Sequence, residues 1–317
     1  MVLTSIARTA RANFMPPKRP SKSNESESAR AEILRWRDGQ ASPASDLLAR
    51  EEPLEIRVRG RSVAVTMRTP GHDDELAAGF LLTEGMIHQR RDVVQIAHCQ
   101  QGEAAQLGNT LNVFLAAAVQ VDFEQLTRHV FASSSCGLCG KASIEAVHLH
   151  FAPVDWRGSV TAKTLLSLPD KLRAAQATFA QTGGLHAAAI FTQRGKLVVL
   201  REDVGRHNAV DKVIGHGFLH GLNPFDQHVL LVSGRASFEI MQKALAARVP
   251  IVASVSAPSS LTVEFARESG QTLAGFLRGN GFNLYSHAER ITGASADAIA
   301  PKKFGRKSAT PRRAARS

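Results

Sequence analysis

The sequence predicts an α/β protein in which a smaller α/β domain precedes a larger, layered one. Two patterns support this class. Short runs alternate apolar and polar residues, as strands do, and longer runs place apolar residues three or four positions apart, as helices do. After residue 133 the two kinds of run follow each other in turn, which is typical of a sheet covered by helices. With 317 residues, 44% of them hydrophobic, the chain is long enough to build a core without disulfide bonds.

The smaller domain is predicted at residues 49–132 and opens with a β-hairpin. Leu54, Ile56 and Val58 alternate with polar residues, Gly60 marks a turn, and the alternation then resumes. A helix with an apolar face follows and ends at a glycine. The elements predicted after the first strand are a strand at 63–67, a helix from residue 73 to Gly85, strands at Val93–His98 and Thr110–Ala116, and a helix at Asp122–Phe131.

The larger domain is predicted at residues 133–292 as a layered unit with a largely parallel sheet. In such sheets the loops at the carboxyl ends of the strands build the functional site. Helices are predicted near 163–182, 206–219, 237–248 and 261–269, and strands near 186–191, 196–202, 229–232, 251–254 and 272–276.

The two ends of the chain, residues 1–48 and 293–317, are predicted to be disordered because they are polar and rich in charge, serine or proline. The formal net charge of +11 lies entirely there, with +4 in residues 1–30 and +7 in residues 301–317. The body between them is formally neutral. We therefore expect no specific binding of nucleic acid.

Cysteine usage and hydropathy favour the cytoplasm. The chain has three cysteines, too few for a secreted disulfide framework, and it has no apolar run near the length of about 18 residues that indicates a membrane span. We therefore expect no membrane association. Cys99 falls in an apolar strand pattern and is predicted to be a core residue.

The most distinctive motif is Cys136-Gly137-Leu138-Cys139, which follows three serines and precedes Gly140. Two cysteines at this spacing indicate half of a zinc site, a dithiol redox pair, or an exposed nucleophilic thiol with a helper. No second Cys-x-x-Cys or closely spaced histidine pair lies at finger-like spacing from it to complete a zinc site, and the cysteine pair does not sit between a first strand and its helix. The glycine-rich surroundings favour an accessible thiol, and a thiolate accepts sulfane sulfur as a persulfide.

Several other segments combine polar residues or glycines with the ends of predicted elements. A lone histidine after two glycines, as at His186, is usually structural. The charged segment 201–212 fits a salt-bridged helix start or a functional role about equally well. Helix starts after Ser233-Gly234-Arg235 and at 256–260 suit an anion but are equally explained by capping. Residues 276–281 place a cation and two glycines after a strand, which suits an anionic nucleotide-like ligand, or a simple turn.

Taken together, five segments resemble the FdhD family of formate dehydrogenase accessory sulfurtransferases. The resemblance spans roughly residues 51–290. The segments are Glu51-Glu52-Pro53-Leu54-Glu55-Ile56, Met67-Arg68-Thr69-Pro70-Gly71, Leu76-Ala77-Ala78-Gly79-Phe80-Leu81, Cys136-Gly137-Leu138-Cys139-Gly140 and Asp203-Val204-Gly205-Arg206-His207-Asn208-Ala209.

The resemblance implies a sulfurtransferase that takes sulfur from a cysteine desulfurase and passes it to the molybdenum bis-molybdopterin guanine dinucleotide cofactor of formate dehydrogenase. It places the persulfide on Cys136 and the second thiol on Cys139, with no metal site and no permanently bound cofactor. It also implies a homodimer. The cofactor-binding stretch falls on Phe276, Leu277, Arg278, Gly279, Asn280 and Gly281. The alternative is a chaperone that binds and presents the cofactor without covalent sulfur transfer.

The family's main domain is similar to the cytidine deaminase fold, so we expect a cytidine-deaminase-like layered domain here. Deamination itself is not expected. Zinc deaminases use a His-x-Glu segment whose glutamate shuttles protons, whereas this chain has His186-Ala187-Ala188, and its Cys-x-x-Cys pair precedes that histidine.

Overall fold

The computed structural model describes residues 27–102, 105, 108–121, 123 and 151–293. Within these ranges the strands are β1 (Ser28–Arg37), β2 (Gln40–Ala49), β3 (Glu52–Val58), β4 (Arg61–Arg68), β5 (Val93–His98), β6 (Thr110–Leu115), β7 (Val160–Thr161), β8 (His186–Thr192), β9 (Leu197–Asp203), β10 (His228–Val232), β11 (Ile251–Ser254), β12 (Thr272–Arg278), β13 (Gly281–Ser286) and β14 (Ile291–Thr292). The helices are α1 (Asp73–Thr83), α2 (Ala162–Ala175), α3 (Ala177–Thr182), α4 (Arg206–Leu219), α5 (Phe238–Ala246) and α6 (Ser260–Glu268). None of these helices is long and apolar enough to cross a membrane.

Strands β1 and β2 form an antiparallel hairpin in the segment that the sequence predicted to be disordered. That prediction is wrong for residues 28–48. Asp38 and Gly39 join the strands with φ of 51° and 79°, the left-handed pair of a type I′ turn, for which Asp-Gly is a preferred sequence. At the hairpin's base the amide of Arg50 donates to the carbonyl of Glu27 at 2.8 Å. The Asp-Gly turn sequence therefore indicates the structure of this segment better than its serine- and proline-rich composition does.

A four-stranded mixed sheet in the order β4-β3-β6-β5 forms the small unit. The predicted hairpin is confirmed as β3 and β4, which pair antiparallel, and β6 lies parallel to β3. One face of β3 presents Leu54, Ile56 and Val58, each at most 1% exposed. The predicted alternation therefore marks the face that covers α1.

A six-stranded sheet in the order β13-β12-β11-β10-β8-β9 forms the larger unit. Only the central strands β10, β11 and β12 are parallel to one another; β8, β9 and β13 join by antiparallel pairing. The expectation of a largely parallel sheet is therefore wrong for the outer half of the sheet. The chain turns back directly between β8 and β9 and between β12 and β13, and short connections of this kind join antiparallel strands.

Two apolar cores lie on the two faces of the larger sheet. Alternate residues of β8 show this division: Ala187, Ala189 and Phe191 belong to the core that contains α2, and Ala188 and Ile190 belong to the other. The second core also takes in α4, α5, α6, α1 and the small sheet. The result is a mixed α/β structure with helices on both faces of the sheet, whereas the more specific deaminase-like layering stays a prediction.

Helices α1 and α4 cross at van der Waals distance because both carry a glycine at the crossing point. A Cβ atom built on Gly79 would lie 1.9 Å from the carbonyl oxygen of Asp211, and one built on Gly215 would lie 1.8 Å from that of Glu75. Any side chain would separate the backbones. The glycine inside the Leu76–Leu81 segment is therefore explained by packing between the two halves of the molecule.

Most element predictions between 54 and 278 are confirmed, with one notable difference. The long helix predicted near 163–182 is two helices, α2 and α3, separated at Gln176. The carboxylate of Glu202 accepts hydrogen bonds from the amides of Thr178 at 2.9 Å and Phe179 at 2.8 Å, and so caps α3 from a distant strand. The helix predicted at Asp122–Phe131, the Cys-x-x-Cys loop and the C-terminal tail lie outside the described residues, apart from Phe123 and Gly293.

Candidate functional site

The predicted persulfide cysteine, Cys136, and its helper Cys139 lie outside the described residues. The third cysteine, Cys99, follows the end of β5 and is partly exposed, with its Sγ atom 3.5 Å from the carbonyl oxygen of Gln101. The prediction that Cys99 is a core residue is therefore wrong. Strand β5 ends at His98, so the thiol of Cys99 falls just beyond the strand.

A cavity of about 610 Å³ opens at the edge of the larger sheet where the parallel strands have their carboxyl ends. This is the position at which open α/β sheets bind ligands. Side chains from α2, β8 and the ends of β10 and β12 converge on it. Its polar and glycine lining includes Arg173, Gln176, Gly184, His186, Ser233, Arg278 and Gly279. The guanidinium groups of Arg173 and Arg278 outnumber the one lining carboxylate, that of Asp170, which suits a ligand that carries negative charge.

The predicted cofactor stretch, residues 276–281, comprises the end of β12, the turn at 279–280 and the first residue of β13. Phe276 has a φ of 54°, at a point where the pairing of the two strands shifts register. Arg278 lies over the ring of Phe276 at 5.7 Å, and Arg278 and Gly279 line the cavity. Leu277 is fully buried in the core beside α2. The structure therefore brings part of the stretch to the cavity, while Leu277 has a packing role.

The charged segment 201–212 divides into structural and outward-facing residues. The carboxylate of Asp203 lies 2.7 Å from the ammonium of Lys212 and accepts hydrogen bonds from the amide of Gly205 at 2.8 Å and from Asn208 at 3.0 Å. Lys212 also donates to the carbonyl of Thr69 at 2.8 Å. These contacts tie α4 to the loop after β4, so for these residues the salt-bridged reading of the segment applies.

Arg206 and His207, at the start of α4, face the cavity end of the sheet. The Nε atom of Arg206 is buried without a hydrogen-bond partner among the described residues. The Nε2 atom of His207 lies 3.2 Å from the hydroxyl of Ser237 at the start of α5. Burial and then the charge of Arg206 lower the pKa of His207 to about 4. His207 is therefore neutral at pH 7, and the guanidinium of Arg206 is the positive charge of this pair, near the amino termini of α4 and α5.

His186 begins β8 and lies on the wall of the cavity. Burial and the charge of Arg206 lower the pKa of His186, while the carboxylate of Asp203 acts in the opposite direction. From the sequence, a lone histidine at this position was interpreted as structural. The position of Arg173 in the last turn of α2 was also missed, because the sequence does not show which face of a helix meets a distant strand end.

A second polar cluster lies between the two sheets. The carboxylate of Glu75 accepts hydrogen bonds from Arg201 at 2.5 and 2.7 Å and lies 2.8 Å from the Nδ1 atom of His216. Burial raises the pKa of Glu75, but the hydrogen bonds from Arg201 and His216 and the charge of Arg201 outweigh it, so the net shift is downward. The ligand atoms of Glu75, His216 and His220 lie within 4.8 Å of one another. Because the guanidinium occupies both carboxylate oxygens, we assign this cluster to ion pairing across the α1–α4 contact.

The model of the FdhD/NarQ family matches residues 49–292. Among curated proteins, the sulfur carrier protein FdhD of Streptomyces coelicolor is 50% identical over 271 residues, covering 83% of this chain and 95% of that protein. The sulfur carrier protein FdhD of Mycobacterium tuberculosis is 54% identical over 254 residues, covering 78% and 92%. A crystal structure assigned as a formate dehydrogenase accessory protein from Desulfotalea psychrophila superposes with a TM-score of 0.66 at 26% identity, covering 84% of this chain and all of that one.

Proposed function

This chain belongs to the FdhD/NarQ family, and we propose that it is a cytoplasmic sulfur carrier that holds sulfur as a persulfide on Cys136. In this proposal a cysteine desulfurase supplies the sulfur. The acceptor is the molybdenum bis-molybdopterin guanine dinucleotide cofactor, which is a substrate of the carrier before it enters formate dehydrogenase. The protein acts as a homodimer.

The observation that carries the proposal is the combination of a Cys-x-x-Cys pair with a cationic cavity in one chain. Relatives that share about half of their residues with this chain are named sulfur carrier proteins. The thiols of Cys136 and Cys139 supply the chemistry that such a name requires. The cavity supplies a place for a large anionic acceptor, since Arg173 and Arg278 both line it.

Loading of the carrier is a thiol–persulfide exchange. The thiolate of Cys136 attacks the outer sulfur of the desulfurase persulfide, forms a new S–S bond, and releases the desulfurase cysteine as a thiolate. No net oxidation or reduction takes place. Cys139 has a second role in the proposal. Its thiolate attacks the inner sulfur of the Cys136 persulfide, releases hydrosulfide, and closes a disulfide between the two cysteines.

Cofactor recognition in this proposal falls on the turn between β12 and β13. Arg278 projects beside the ring of Phe276, and Gly279 lines the cavity with nothing within 4 Å of the place where a Cβ atom would lie. A guanidinium group binds phosphate oxygens in a planar, bidentate manner. The guanine dinucleotide ends of the cofactor carry such phosphates. Arg278 therefore holds the phosphate-bearing part of the acceptor, and Arg173 approaches it from α2.

Mass spectrometry of the protein after incubation with a cysteine desulfurase and cysteine tests the loading step. We expect one added sulfur atom on the peptide that contains Cys136, and none in the Cys136→Ala variant. Cys99→Ala is the matched control, because Cys99 is a partly exposed thiol elsewhere in the chain, and it should load normally. If Cys136→Ala still activated formate dehydrogenase fully, the protein would be a cofactor-binding chaperone instead.

A further inference from the structure

Gln176 combines nearly complete burial with an unpaired side-chain amide. It joins α2 to α3, is 4% exposed, and lines the cavity at the edge of the larger sheet. Among the described residues, its side-chain oxygen and nitrogen have no hydrogen-bond partner, and its hydrogen bonds with Arg173 and Ala180 are made by the backbone. Buried polar groups that only stabilise a fold are normally hydrogen-bonded. The amide of Gln176 is therefore available to a ligand in the cavity.

Gln271 provides the comparison with a buried glutamine that has a structural role. It is fully buried, and both ends of its side-chain amide are paired. Its Nε2 atom donates to the carbonyl of Val249 at 2.9 Å, and its Oε1 atom accepts from the hydroxyl of Ser269 at 2.9 Å. Leaving a buried amide unpaired lowers the stability of the folded state. At Gln176 this cost is typical of a residue whose role is to bind a ligand.

The part of the cavity next to Gln176 is apolar. Leu172 precedes it by one turn of α2 and is 2% exposed, and Leu185, just before β8, is 5% exposed. Both residues line the cavity together with Phe179 of α3. Of the lining residues with polar side chains, Gln176 is the most deeply buried. Apolar walls around one buried polar group suit a ligand ring whose faces pack against the walls and whose edge forms hydrogen bonds.

The chemistry of the amide selects the kind of ring edge. A glutamine side chain donates through Nε2 and accepts through Oε1, so it pairs fully with an edge that places an acceptor beside a donor. Ionised phosphate oxygens only accept, and they would leave Oε1 unpaired. Guanine has the required edge, because its O6 acceptor lies next to its N1–H donor. The amide therefore suits the base of a guanine nucleotide, whereas a guanidinium such as that of Arg278 suits its phosphates.

We propose that Gln176 is the residue that recognises the guanine base of the acceptor, and this inference rests on the proposed sulfur-carrier function. Its Nε2 atom donates to O6 and its Oε1 atom accepts from N1–H, while Arg278 binds the phosphates. Asp170 and Arg173 also line the cavity but are exposed, so a hydrogen bond from either to a ligand replaces one to water and adds less to specificity. Recognition of the acceptor is thus divided between a buried neutral amide and an exposed cation.

Calorimetric titration of the full chain tests this division. The probes are guanosine diphosphate (GDP), inorganic pyrophosphate, and the diphosphate of 2-aminopurine riboside, which lacks both O6 and N1–H. A paired base edge contributes about tenfold in affinity, so the unsubstituted protein should bind GDP about tenfold more tightly than the 2-aminopurine analogue. In Gln176→Leu, binding of GDP should weaken about tenfold, to the level of the analogue. Binding of pyrophosphate should be unchanged.

Urea unfolding separates recognition from a structural effect. Gln176→Leu removes an unpaired buried amide, so its unfolding midpoint should stay the same or rise. Gln271→Leu is the matched control, because it breaks two buried hydrogen bonds. Its midpoint should fall, while its Kd for GDP should stay at the unsubstituted value. Gln176→Met, with an unbranched side chain of similar length, provides a second variant with the same expected loss of GDP affinity.

The outcomes distinguish this inference from the function on which it rests. If GDP and pyrophosphate bind the unsubstituted protein but Gln176→Leu keeps its affinity for GDP, the role of Gln176 is wrong while the proposed acceptor stands. If neither probe binds the unsubstituted protein, the proposed acceptor is itself wrong, and the role of Gln176 falls with it. Equal weakening of GDP and pyrophosphate, together with a lower unfolding midpoint, would show that Gln176 only supports the cavity wall.

Discussion

The ammonium of Lys212 lies 2.7 Å from the carboxylate of Asp203, and both side chains are at most 1% exposed. Lys212 comes from the middle of α4 and Asp203 from the end of β9. The ion pair therefore joins the end of this strand, beside the cavity, to the helix that follows it. Because Lys212 also donates to the carbonyl of Thr69, the same ammonium fastens the small unit to the larger one.

Replacing Lys212 by methionine should strongly destabilise the protein. The substitution leaves the Asp203 carboxylate buried without its cation, and breaking one partner of a buried pair costs about 3–5 kcal/mol. Urea unfolding followed by circular dichroism measures this change. Arg157→Met is the control, because Arg157 and Asp155 form an ion pair that is 89% and 83% exposed. A Lys212→Met protein as stable as this control would contradict the structural role of the pair.

Gly79→Ala should separate α1 from α4. Its methyl group would meet the carbonyl oxygen of Asp211 at 1.9 Å, so the two helix backbones would have to move apart. Overpacking a tight contact costs about 1–3 kcal/mol, and sometimes more. Thermal unfolding should show a clear decrease in Tm. In Gly281→Ala, by contrast, the added Cβ meets nothing within 4 Å, so an equal decrease in that variant would show that the helix crossing is not the cause.

Local patterns predicted much of this fold because they depend on neighbouring residues. The alternation of Leu54, Ile56 and Val58 predicts a strand whose inner face is buried, and the structure confirms it. The Asp38-Gly39 turn was present in the sequence but was outweighed by the polar composition around it. Features that join distant segments were not predictable in this way. Glu202 caps α3 from another strand, and no spacing along the chain reveals that contact.

The candidate site shows the same division. The Cys-x-x-Cys pair and the glycine-rich turn at 276–281 are motifs that are read along the chain. The cavity joins Arg173, His186 and Ser233 to that turn, although these residues belong to different elements. A histidine before an apolar strand is ordinary in a sequence. Its place on the cavity wall, beside Arg206 and opposite Gly234, follows from the packing of distant segments.

Stability should decrease as the pH falls from about 6.5 toward 4, in part because of His207. Its pKa is lowered to about 4 in the folded protein, from an ordinary value of 6.5. Between these values the unfolded chain binds a proton that the folded protein does not, so acidification favours unfolding. The stabilisation is complete above pH 6.5 and is lost as the pH falls. In His207→Gln, urea unfolding at pH 7 and pH 5 should show a smaller difference between the two pH values. An unchanged difference would mean that His207 titrates normally in the folded state.

Arg278→Ala should weaken binding of guanosine diphosphate, a probe for the phosphate-bearing end of the proposed acceptor. Arg278 lines the cavity and is exposed, so its guanidinium is free to meet phosphate oxygens. A hydrogen bond to a charged group contributes about 1.5–3 kcal/mol, so we expect Kd to rise about tenfold or more in isothermal titration calorimetry. Arg194→Ala is the matched control, since Arg194 is an exposed arginine in the turn between β8 and β9, at the opposite end of β8 from His186. Equal weakening in both variants would indicate that the nucleotide responds to overall positive charge, and an unchanged Kd in Arg278→Ala would place its phosphates elsewhere.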